Sequence, residues 1–154
     1  MTRFAIVATA AALLASDHGS NEGMPKLNRP QELSWKEGPA SLPPGARYAV
    51  LEGDPNKSGP FVFRVKVPDG YRIPVHTHPK PERVTVLAGT FKLGMGDMFD
   101  ASKMETLPTG TYGTWPPGMK HYVEVVGETI VQFHGEGPWT INYVNPADDP
   151  RKKW

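Results

Sequence analysis

The chain contains no cysteine. That alone excludes disulfides, thiolate metal ligands and a cysteine nucleophile. It leaves the compartment open, since oxidising and reducing surroundings both tolerate a cysteine-free protein. Net charge is also scarce, +1 over 154 residues. No strong field exists to recruit nucleic acid or an anionic membrane, so neither is expected as a partner. The basic run Arg151-Lys152-Lys153 reads as a solvated tail over 151–154. Long apolar segments are missing too. The most apolar stretch, Phe4 to Ala15, is too short to span a bilayer. Flanked by Arg3 and the polar stretch Ser16 to Ser20, it has the make-up of a secretory signal over 1–16, which predicts export to the periplasm or beyond. No repeat of roughly 20–50 residues is visible, and no Gly-rich phosphate loop leads from a strand into a helix.

Glycine and proline, by contrast, are abundant, at 16 and 17 residues. A helical protein would suffer from so many breakers, whereas short strands joined by tight turns use them. Residues 17–32 are polar, carry Gly23, Pro25 and Pro30, and read as a linker. Leu33-Ser34-Trp35 suggests a short opening strand, and Arg47 to Leu51 a second. In Phe61 to Val67, Phe61, Phe63, Val65 and Val67 alternate with Arg64 and Lys66, a period of two with one buried face. Further strands are expected at Arg83 to Leu87 and Thr90 to Leu93 around a turn at Ala88-Gly89, and at Thr111 to Trp115, Tyr122 to Val126, Thr129 to Phe133 and Trp139 to Val144. Met98 to Lys103 suits one helical turn capped by Asp97. The prediction is a single all-β domain over 33–150, an antiparallel barrel or sandwich with at most short helical turns.

There are five histidines, His18, His76, His78, His121 and His134. His76 and His78 stand two apart after strand-like sequence, a spacing that puts both side chains on one face of a strand. Pro79 and Pro81 cannot donate ladder hydrogen bonds, so the chain must turn there before Glu82 opens the next strand. A turn between adjacent antiparallel strands would bring Glu82 beside the histidine pair. Two imidazoles and one carboxylate suit a divalent metal with open positions.

These residues lie in the pattern G-x5-H-x-H-x3-E-x6-G from Gly70 to Gly89, followed by G-x5-P-x-G-x2-H through Gly110, Pro116, Gly118 and His121. The two blocks resemble the signature motifs of the cupin superfamily. The resemblance implies an antiparallel jelly-roll barrel of about six to eight strands. It also implies one internal metal ion held by His76, His78, Glu82 and His121. One position departs: where the second motif commonly carries Asn, four residues after its histidine, this chain has Val125. Gly118 permits a turn with φ > 0 that steers His121 onto its strand. Val123 and Val125 should then share the face of His121 as an apolar wall.

Three nitrogens and one oxygen accept Fe, Mn, Zn, Ni, Co or Cu. Gln132 and His134, on a strand soon after His121, are candidates to face the lumen as supporting or acid/base groups. Tyr71, Tyr112, Trp115 and Met119 flank the motifs as candidate pocket residues. The expected activity is metal-dependent chemistry on a small organic substrate, foremost a dioxygenase-type oxidation. The alternatives are a non-redox isomerase, lyase or hydrolase, or a non-catalytic metal or small-ligand binder. Family resemblance also suggests a homodimer through the region 33–51.

Overall fold

The computed structural model describes residues 23–152. The signal expected over 1–16 lies outside them, as do the first residues of the expected linker. No helix among the described residues is long and apolar enough to cross a membrane. The architecture is a curled antiparallel jelly-roll sheet of nine strands: β1 Lys36–Glu37, β2 Arg47–Glu52, β3 Gly59–Val67, β4 Arg72–Thr77, β5 Glu82–Met95, β6 Glu105–Pro108, β7 Tyr112–Trp115, β8 His121–Gly137 and β9 Asn142–Tyr143. The remaining regular elements are 3-10 turns of three residues.

β8 is the spine. Its first half pairs with β4 and with the second half of β5, for example His76 with His121 and Leu93 with Val123. Its second half pairs with β3 and with the first half of β5. Both long strands therefore contribute to both halves of the roll. Their inward residues, such as Val84, Val86, Phe91, Val125 and Val131, fill the space between. Phe63 of β3, 1% exposed, stacks on Phe61 and Phe133 and meets the Trp139 ring edge-on. Burying one such ring contributes about 1.5–3 kcal/mol.

Several expected boundaries move, each for a physical reason. The two strands expected around a turn at Ala88-Gly89 are one strand, β5, whose pairing with β8 slips at that point. Gly89 supplies a bulge with φ +76° rather than a hairpin. Likewise Tyr122 to Val126 and Thr129 to Phe133 are parts of the single strand β8. The opening strand is Lys36–Glu37, just after the expected Leu33-Ser34-Trp35. The helical turn is shorter than expected, Ala101–Lys103, and its cap is Asp100, whose carboxylate accepts from Ser102 N–H; Asp97 instead pairs with Lys120. Of Trp139 to Val144 only Asn142–Tyr143 is strand. β6 is an addition that the sequence reading did not include. Of the expected tail over 151–154, residues 153–154 lie outside those described; Arg151 is exposed, and its guanidinium bonds Asp149 and donates to the carbonyl of Ile141.

A Cβ at position 89 would lie 2.3 Å from Thr129 Oγ1 and 2.5 Å from the carbonyl oxygen of Glu128, in a backbone conformation that side chains rarely adopt. Gly89→Ala is therefore expected to destabilise the fold by about 2–4 kcal/mol, read as a lowered urea midpoint with an unchanged m-value.

Candidate metal centre

Four ionisable side chains meet inside the roll: His76, His78, Glu82 and His121, each 5% exposed or less. His76 sits near the end of β4 and His78 one residue beyond it. Their rings both point inward with centroids 5.0 Å apart, as the spacing of two required. His121 opens β8 directly opposite His76, and their ring centroids are 4.1 Å apart. Gly118, at φ +75°, makes the turn before it and donates its N–H to the carbonyl of His78, which ties the two motifs together.

Glu82 arrives by a different route from the one expected. β4 and β5 are not hydrogen-bonded neighbours; each pairs with β8. The carboxylate therefore reaches the imidazoles across the interior and not from an adjacent strand. Glu82 Oε2 stands 3.3 Å from His78 Nε2 and 3.9 Å from His121 Nε2.

The outward nitrogen of every ring is anchored. Nδ1 of His76 bonds the carbonyl of Pro74 at 2.7 Å, that of His78 the carbonyl of Thr140 at 2.7 Å, and that of His121 the carbonyl of Met119 at 2.9 Å. A carbonyl oxygen only accepts, so each Nδ1 carries the proton and each Nε2 keeps its lone pair. One ligating nitrogen from each of the three rings lies within 4.8 Å of the others. His78 Nε2 is buried with no hydrogen-bond partner, although Glu82 Oε2 stands 3.3 Å away. Three buried imidazoles with inward lone pairs, one of them unpartnered, form a set that could bind a metal ion.

Burial governs the electrostatics. It pushes His76 well below the ordinary imidazole value, holds His78 down to about 4, and lowers His121 in spite of the Glu82 charge. Neighbouring imidazoles push His76 down further. Burial raises Glu82 to about 7, while His121 and the Trp139 hydrogen bond pull the other way. The centre is thus kept free of protonated imidazole at neutral pH, the state that a cation requires.

The cavity beside these groups is about 30 Å³, room for an ion with a water or two. Its walls are apolar and include Val123 and Val125, on the face of His121 as expected. Tyr71 and Trp115 also line it. Tyr112 and Met119 do not: Tyr112 is exposed, and Met119 serves through its carbonyl. Gln132 and His134, expected toward the lumen, lie on the outer face, since the inward residues of that stretch are Val131 and Phe133. Gln132 accepts from Arg64 at 3.0 Å, and His134 stacks near Tyr112.

The sequence reading missed the segment after β8. Trp139 donates its indole N–H to Glu82 Oε1 at 3.0 Å and stacks on His78. Thr140 provides the carbonyl that orients His78, and Tyr143 pairs with His76. No local pattern could have indicated contacts reaching some sixty residues back, and the backbone carbonyl carries no side-chain signature.

The pKa directions give a signed expectation for metal-free protein. The unfolded chain takes up protons on three imidazoles near pH 6.5, whereas the folded chain resists until lower pH. Glu82 works in the opposite sense: its folded form holds a proton up to about 7, so its contribution is full below about 4.5 and is lost as pH rises toward 7. Three groups outweigh one. Chelator-treated protein is expected to lose stability between pH 6.5 and 5, read from urea midpoints, and His78→Gln should flatten that slope.

Residues 25–140 match the family described as the ChrR Cupin-like domain. No curated protein matches the chain. Among solved structures, the polyketide cyclase RemF from Streptomyces resistomycificus superposes with a TM-score of 0.64 at 18% identity, over 84% of this chain and 92% of that one. A candidate acetylacetone dioxygenase from Methylibium petroleiphilum gives 0.60 at 21% identity, over 85% and 88%. The complex of SigE with the anti-sigma ChrR from Rhodobacter sphaeroides gives 0.51 at 18% identity, over 69% and 51%. At such identities the likeness shows a shared fold. With the matched family spanning most of its length, the chain belongs to the ChrR cupin-like family of the cupin superfamily.

Proposed function

We propose that the chain is a metal-dependent cupin enzyme that oxidises a small organic molecule in the manner of a dioxygenase, with one divalent transition metal held by His76, His78, His121 and Glu82. The observation that supports the metal site is the set of three imidazoles whose Nδ1–H groups are all spent on carbonyls, leaving Nε2 atoms that face one another with a carboxylate alongside. When bound, such an ion supplies a Lewis acid and, if redox-active, an electron-transfer centre with room for further ligands. Glu82 must surrender its proton to join the set, and the Trp139 N–H on Oε1 favours that ionised form. The apolar walls exclude bulk water, and the small free space restricts a substrate beside the ion to a mainly apolar molecule of a few heavy atoms. The fold is shared with a candidate acetylacetone dioxygenase and with a polyketide cyclase, so the likeness is compatible with oxidation and does not choose it over non-redox chemistry.

A second reading is a metal or small-ligand binder without turnover. The tightness of the cavity favours it, as does membership of a family that carries the name of the anti-sigma ChrR.

Protein stripped with chelator and reloaded is expected to hold about one equivalent of divalent metal, while a His76→Gln, His78→Gln double variant holds less than about a tenth of that by elemental analysis. Fe(II)-loaded protein is expected to consume O2 with members of an enol and β-diketone panel. Turnover that survives Zn substitution without O2 would redirect the assignment to non-redox chemistry, and tight ligand binding without turnover to the second reading.

A further inference from the structure

Two buried side-chain polar atoms among the described residues have no hydrogen-bond partner, His78 Nε2 and Trp115 Nε1, and both residues line the same cavity. The first is a metal-site nitrogen. The second has no part in holding an ion, because an indole N–H only donates.

Trp115 ends β7 directly opposite Glu82 of β5. Residues opposite one another on paired strands project from the same face, so Trp115 faces the interior as Glu82 does. Its ring lies over Gly113, where a Cβ would come within 2.3 Å of a ring carbon, so the close approach depends on that glycine. A second indole, that of Trp139, does contact the carboxylate. The Trp139 N–H donates to Glu82 Oε1, whereas the buried Trp115 N–H has no partner. A buried donor left unpaired is costly, and a built site keeps one where a guest completes the bond. No lysine or arginine lines the cavity, so nothing there neutralises a phosphate or a second carboxylate.

We propose that Trp115 Nε1–H is a specificity-determining donor that hydrogen-bonds one oxygen of the guest, and that the guest is a mainly apolar molecule of a few heavy atoms presenting a single carbonyl, enolate or carboxylate group. The proposal rests on the reading of the cavity as a ligand chamber beside a metal. It goes further by naming the group that reads the ligand and the ligand class. Sugars, with their many hydroxyls, and phosphorylated compounds do not fit a chamber with one free donor and hydrocarbon walls.

The test uses full-length Zn-loaded protein with indole 15N labels and acetate as the probe. The Trp115 indole resonance is assigned by its loss in Trp115→Phe. Acetate is expected to move the Trp115 indole proton downfield while that of Trp139 stays in place. Trp115→Phe is expected to bind the same amount of Zn and to bind acetate about tenfold more weakly. If acetate perturbs other resonances but leaves the Trp115 proton unmoved, or binds the variant equally well, the donor role is overturned and the metal site stands. No response to acetate at any concentration overturns it equally. Failure of the unmodified protein to take up Zn removes the metal site itself, and the subsite with it.

Discussion

Everything the centre can do depends on three hydrogen bonds from imidazole Nδ1 to backbone carbonyls. They fix the tautomer of each ring and turn its lone pair inward. Without them the rings would be buried groups of uncertain orientation, and burial alone would not make ligands of them. The carbonyls come from three places: Pro74 at the slip in β4, Met119 in the turn before β8, and Thr140 in the segment after it. The strand irregularities that look like departures from an ideal sheet are therefore the features that aim the side chains. Trp139 does for Glu82 what the carbonyls do for the histidines. It occupies one oxygen and leaves the other beside His78 and His121.

The part of this legible in the sequence was the part written in side chains. His76 and His78 share a face because a strand alternates, and Gly118 turned the chain where a positive φ was required. Phe61 to Val67 forms the strand that its alternation predicted. What failed was continuity. Two separate strands, Tyr122 to Val126 and Thr129 to Phe133, leave the facing of the second free, which makes Gln132 and His134 candidates for the lumen. Read as one, His121, Val123, Val125, Val131 and Phe133 are all odd-numbered and all inward, so Gln132 and His134 must be outward. The Gly89 bulge has the same origin, since a glycine with positive φ serves a hairpin or a bulge equally well. The route of Glu82 and the role of Trp139 were illegible for another reason. Both depend on which strands become neighbours, a property of the whole sheet.

The site also straddles the architecture. His76 and His121 lie side by side where β4 meets β8, whereas Glu82 belongs to the stretch of β5 that pairs with β7 and the far half of β8. An ion held by all of them would fasten the two ends of the roll to each other. In a chain with no sulfur bridge to draw on, such an ion would cross-link the roll through the same few bonds that hold it.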